Sequence, residues 1–195
     1  MSLSKINLSI LENIKLKKNL LKNFEIILTI KKAIFNILSN DGKVFICGNG
    51  GSAADAQHLA AEFMIRLRRK VNRKPYPVIS LALDTSTLTA CSNDYGYKNI
   101  FSRPLESLGS SKDALIVIST SGNSKNIMQA LKLSKKKKIL SIGFLGNNGG
   151  EAKKLCDLKY IVPSNNVARV QETHIFLGHL IFELVEDDLI KKTLK

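Results

Sequence analysis

Three groups of residues have types and spacings that can do chemistry. The first is His58 and Glu62, four apart in a helical pattern and so on one helix face. An imidazole and a carboxylate at that spacing can share a metal ion, or act together as a base and its orienter. They can also be a plain surface pair. The second is Gln171, Glu172, His174 and His179 on an apolar C-terminal helical stretch. Gln171 and His179 are eight apart, so they diverge by about 80° and rise about 12 Å along the axis. They could reach one small ligand only with both side chains extended toward each other. A core histidine is the plainer reading of His179. The third is Ser119-Thr120-Ser121-Gly122-Asn123-Ser124, with four hydroxyls in six residues between a buried strand and a helix. A helix N-terminus offers unpaired N–H groups and the positive end of the dipole, and Gly122 lets the backbone approach an anion. This is a phosphate cradle without a lysine. One hydroxyl would suffice for an ordinary N-cap.

A second Gly-rich turn, Cys47-Gly48-Asn49-Gly50-Gly51-Ser52, also follows an apolar run. Its glycine spacing is not the dinucleotide fingerprint. No Gly-Lys-Ser/Thr follows, so it is not a P-loop.

These groups need a frame. Apolar runs at 43–47, 78–83, 114–118, 139–145 and 158–162 read as strands. Helical patterns at 52–68, 86–107, 124–137, 150–155 and 167–190 alternate with them. Strands apolar throughout, alternating with helices, predict a five-stranded parallel sheet covered on both faces: an α/β three-layer sandwich of Rossmann-like type. Ligands of such sheets sit at the carboxyl ends of the strands, where both Gly/Ser-rich turns fall. Residues 1–40 read as an N-terminal helical arm that packs in an oligomer, ahead of a domain over 41–195. Asn40-Asp41-Gly42 closes the arm.

The 195 residues carry 30 Lys plus Arg against 16 Asp plus Glu, a formal charge of +14. Of the basic residues 24 are Lys and only 6 are Arg, in a chain also rich in Ile and Asn. An AT-rich coding bias gives that mixture, and aromatic residues are sparse, so nucleic acid is not expected as a partner. The run Lys135 to Lys138 reads as a solvated helix end where cations suit the dipole. No apolar run has the roughly 20 residues of a membrane span, and the first residues lack the apolar region of a secretory signal. Cys47, Cys91 and Cys156 are far apart, with no C-x-x-C. No disulfide framework or cysteine-based zinc site is expected, and the expected location is the cytoplasm.

GNGGSAADAQHLAAEF, CSNDYGYKNIFSRPLE, ISTSGNSKNI and RVQETHIFLGHLI occur in that order between about residues 40 and 190. Together they resemble the phosphoheptose isomerase family of sugar-isomerase (SIS) domain proteins. The resemblance implies interconversion of sedoheptulose 7-phosphate and D-glycero-D-manno-heptose 7-phosphate. That is the first step toward nucleotide-activated heptose for lipopolysaccharide core or capsule. It implies a homotetramer with sites at subunit interfaces and one zinc ion per subunit. By motif position, the metal ligands fall on His58, Glu62, Gln171 and His179. Substrate contacts fall on Asn49, Gly50, Gly51, Ser52, Glu62, Asn93, Asp94, Ser119, Thr120, Ser121, Ser124 and Gln171. Glu62 would be the catalytic base and His179 the acid. Ala61 stands where some members have a second acid. Two alternatives follow from the same resemblance. One is a non-catalytic SIS domain that senses sugar phosphates or associates with a replication initiator. The other is a different SIS isomerase or etherase.

Overall fold

The computed structural model describes residues 2–193. Two helices, α1 (Ser2–Lys22) and α2 (Phe24–Ser39), lead into β1 (Val44–Gly48) and α3 (Gly51–Met64). The chain continues through β2 (Val78–Ser80), α4 (Thr85–Tyr95) and α5 (Ser102–Leu108). Then come β3 (Ala114–Ser119), α6 (Lys125–Lys137), β4 (Leu140–Gly146), β5 (Leu158–Val162) and α7 (Val167–Thr193). Short 3-10 turns sit at Tyr97–Asn99 and Ala152–Lys154.

All five strands are parallel, in the order β2-β1-β3-β4-β5. Alternate residues of one strand feed the two faces. Val44 and Ile46 join a core with α2, α3 and α7, while Phe45 and Cys47 join one with α4, α5 and α6. That is the three-layer arrangement expected from the uniformly apolar strands. Strand order reverses between β1 and β3, which opens a crevice at their carboxyl ends. The turns at 48–51 and 119–124 both border it.

Four boundaries differ from the sequence reading. Strand β2 stops at Ser80 although Leu81-Ala82-Leu83 is apolar. Only Leu81 stays tied to the sheet, its N–H bonded to the Ile46 carbonyl, before Asp84 caps α4. The single helix expected over 86–107 is broken at Gly96, whose φ of +83° ends α4. The stretch 150–155 holds only a 3-10 turn. Helix α3 ends at Met64 rather than 68, because Arg73 takes its last carbonyls: Nη2 donates to Glu62 at 2.8 Å and Nη1 to Phe63 at 2.9 Å.

Helices α3 and α7 lie side by side and run in the same direction. Gly51 lies against Gln171, Leu59 against Gly178, and the Phe63 and Phe182 rings are 4.4 Å apart. A Cβ on Gly178 would come within 2.5 Å of Leu59 Cδ1, so glycine there sets how closely the two helices approach. Beyond Phe63, the buried Glu186 of α7 accepts from Arg73 Nε and Arg68 Nε, each at 2.6 Å. These two ion pairs fasten the segment after α3 to α7.

Candidate active site

The close approach of α3 and α7 decides what the histidines do. His58 Nε2 and His179 Nε2 are 2.9 Å apart, and Glu62 Oε1 is 3.2 Å from His58 Nε2. One donor atom from each of the three residues lies within 4.8 Å of the others. The rings meet edge-on, 87° apart. His179 is therefore part of a polar cluster and not a core histidine. The core histidine is His174, fully buried five residues earlier on α7, with both ring nitrogens lacking a hydrogen-bond partner among the described residues. Burial pushes it down to about 4, only partly opposed by the neighbouring Leu145 backbone.

The donor set suits a divalent ion of zinc type. Two imidazole Nε2 atoms facing each other need either a shared proton or a shared cation. A four-coordinate ion with bonds of about 2.0–2.1 Å sets its donors about 3.3 Å apart. The spacings of 2.9 and 3.2 Å are close to that. Gln171 is two turns up α7, its amide lying over Gly51, where a Cβ would meet Nε2 at 2.5 Å. Asp55, one turn before His58, has a buried Oδ2 with no partner among the described residues. Burial lifts its carboxyl to about 6, with His58 opposing.

The hydroxyl cradle closes the other side of the crevice. Ser119 Oγ accepts from the Gly122 N–H at 3.0 Å, and Ser121 Oγ from the Asn123 N–H at 3.2 Å. Ser124 occupies the N-cap of α6 with no side-chain cap bond, leaving its hydroxyl for other partners. Gly122 sits at φ +65°, and a Cβ there would strike the Gly149 carbonyl at 2.1 Å. The Gly-rich turn after β4 thus buttresses the cradle from behind. The Ala152 N–H bonds the Gly122 carbonyl and the Glu151 N–H bonds Asn123 Oδ1.

Asn49 links the two turns. Its amide pairs with that of the buried Asn126 and accepts from the Tyr97 hydroxyl. Gly50 and Gly51 open α3, and Ser52 is buried beneath them. Asn93 and Asp94 are exposed at the end of α4, and their side chains bond each other rather than any other candidate among the described residues. Sequence reasoning missed Asn126, Tyr97, Arg73 and Glu186. An asparagine in the first turn of a helix reads as a cap, and Arg73 falls in a basic stretch that reads as solvated.

A family model described as SIS domain matches residues 13–146. The phosphoheptose isomerase of Clostridium acetobutylicum is 48% identical over 187 residues, 94% of each chain. The chain belongs to the phosphoheptose isomerase family of SIS-domain proteins. A second relative, phosphoheptose isomerase 2 of Campylobacter jejuni, is 46% identical over 93% of this chain and 90% of its own. Among solved structures, the phosphoheptose isomerase of Neisseria gonorrhoeae superposes with a TM-score of 0.88 at 35% identity, covering 96% of this chain and all of that one. That of Francisella tularensis gives 0.90 at 34% identity, over 96% and 99%. The chain is therefore an isomerase-family enzyme rather than a non-catalytic SIS module. Among the described residues, no helix is long and apolar enough to cross a membrane.

Proposed function

We propose that this phosphoheptose isomerase-family chain converts sedoheptulose 7-phosphate to D-glycero-D-manno-heptose 7-phosphate, the opening step toward nucleotide-activated heptose for lipopolysaccharide core or capsule. The observation that carries the site is the meeting of His58, Glu62 and His179 from helices more than a hundred residues apart in the chain, beside a hydroxyl-lined helix N-terminus.

The cradle holds the phosphate, through Ser52, Ser119, Thr120, Ser121 and Ser124. That remote binding sets C1 and C2 against the polar cluster. Asn49, Gly50, Gly51, Asn93, Asp94 and Gln171 contact the sugar chain. The Glu62 carboxylate removes a proton from C1 of the ketose. The C–H electrons form the C1–C2 double bond, and the C2 oxygen takes a proton from His179. The O1 proton then passes to His179, restoring it, as C1 becomes the aldehyde carbon, and Glu62 returns its proton to C2. Atoms and electrons balance with no redox cofactor. His58, Glu62, Gln171 and His179 would hold one zinc ion. Bound there, zinc polarises the carbonyl and hydroxyl oxygens as a Lewis acid.

We assign a homotetramer in the cytoplasm. Supporting the assembly, α1 exposes Leu3, Ile6, Leu8, Ile10, Leu11 and Ile14, far more apolar surface than a solvated helix carries. The N-terminal helices would cover it against a neighbouring subunit, ahead of a catalytic domain over 41–195. Three buried free thiols suit a reducing compartment.

The test is incubation with sedoheptulose 7-phosphate and zinc, following the aldose by proton NMR. Appearance of the aldose supports the assignment. Binding of the sugar phosphate without turnover would return the chain to the non-catalytic class.

A further inference from the structure

Which edge of Asn49 faces the crevice can be worked out from a single backbone group. The Ile127 N–H can only donate, and its partner at 2.9 Å is Asn126 Oδ1. That fixes the flip of the Asn126 amide. The group opposite Asn126 Oδ1 at 3.0 Å must then be Asn49 Nδ2, and Asn126 Nδ2 donates back to Asn49 Oδ1 at 2.7 Å. Asn49 Oδ1 also receives the Tyr97 hydroxyl at 2.9 Å. Both acceptor positions of Asn49 Oδ1 are then filled, and one of its two Nδ2–H groups is used. What remains is a single N–H. The Tyr97 hydroxyl has given its proton inward and keeps its lone pairs.

We propose that Asn126 is a positioning residue that makes Asn49 a donor-only contact for the sugar phosphate, and that Tyr97, locked by the same network, presents an acceptor beside it. The ligand atom at Asn49 is then an acceptor: a carbonyl, phosphate, hydroxyl or developing anionic oxygen. The one at Tyr97 is a hydroxyl that donates. Asn126 is 1% exposed and cannot touch ligand, whereas Tyr97 is 60% exposed at the rim. A buried amide with this many partners is costly to leave unsatisfied, so its orientation is held firmly. The proposal rests on the reading that Asn49 contacts the sugar phosphate.

The test is a double-mutant cycle with Asn49→Ala and Asn126→Ala, read in kcat/KM and in the dissociation constant for sedoheptulose 7-phosphate. Alone, Asn126→Ala lowers kcat/KM by about 10²-fold, the scale of a contact displaced by about 1 Å. In the Asn49→Ala background it adds less than about threefold, because it acts through a group already removed. A full repeat of the loss in that background overturns the proposal and marks Asn126 as general scaffolding. Should Asn126→Ala fail to fold, Tyr97→Phe decides. Exposed and nearly isosteric, it lowers kcat/KM about fivefold, one neutral hydrogen bond, and only while Asn49 is present. No effect, or an equal effect without Asn49, refutes the network. Wild-type protein that never forms the aldose sinks the assigned reaction, and the cycle read in binding alone still decides on Asn126.

Discussion

Replacing Glu186 with alanine should strongly destabilise the fold, because it leaves a buried arginine without its partner. Glu186 is 0% exposed and accepts from two arginines at 2.6 Å. Arg68 is one-third exposed, so its share is within the 0–1 kcal/mol of a solvated pair. Arg73 is 5% exposed and packs against the rings of Phe63 and Tyr76, 5.0 and 5.6 Å from their centroids. Its charge cannot escape to water when its partner is removed. Breaking a buried pair in this way costs about 3–5 kcal/mol. For a domain of this length, about 2–4 °C of Tm per kcal/mol gives a drop of about 6–20 °C. Thermal unfolding followed by circular dichroism, at one fixed protein concentration, measures it. The double variant Arg73→Met with Glu186→Leu should regain much of the loss, because it removes both charges. A single-variant shift below about 2 °C would refute the reasoning, as would a double variant no better than Glu186→Ala.

Glu62→Gln should keep the fold and sugar-phosphate affinity while turnover falls at least about 10²-fold, checked by initial rates beside calorimetric binding. Gly122→Ala forces a Cβ onto the Gly149 carbonyl at positive φ, so phosphate affinity should fall at least about tenfold, measured by inorganic phosphate competition. His58→Ala should release zinc at chelator concentrations that leave wild type loaded, read by metal analysis after gel filtration. His174 is held neutral down to about 4 while the unfolded chain protonates near 6.5. The unfolded state binds more protons in that window, so stability rises with pH across it, and about 3 kcal/mol is lost as pH falls from 6.5 to 4. Urea titrations along that range should show the slope, and His174→Phe should flatten it.

The strands were readable because both faces of the sheet are covered and every position in β1 and β3 is buried. Their ends were less so. Leu81, Ala82 and Leu83 are as apolar as the strand before them, yet Leu81 and Ala82 turn into the core shared with α4 and Leu83 is exposed. The turn after β3 stood out in the sequence by its hydroxyls, but its packing against 149–150 did not, since a glycine packed on another turn looks like any loop glycine. His174 and His179 share one helix and one residue type. Their different fates follow from which face of α7 meets β4 and which meets α3, and spacing alone does not carry that information.

Because α7 brings His179 and Gln171 and opens only at residue 167, the second half of the polar cluster is synthesised after all five strands. The hydroxyl-rich turn at 119–124 is also synthesised before α7. A chain terminated before that helix leaves one face of the sheet without its α7 cover and has no second imidazole to set beside His58. Truncation before residue 167 should therefore abolish the proposed activity outright rather than reduce it by degrees.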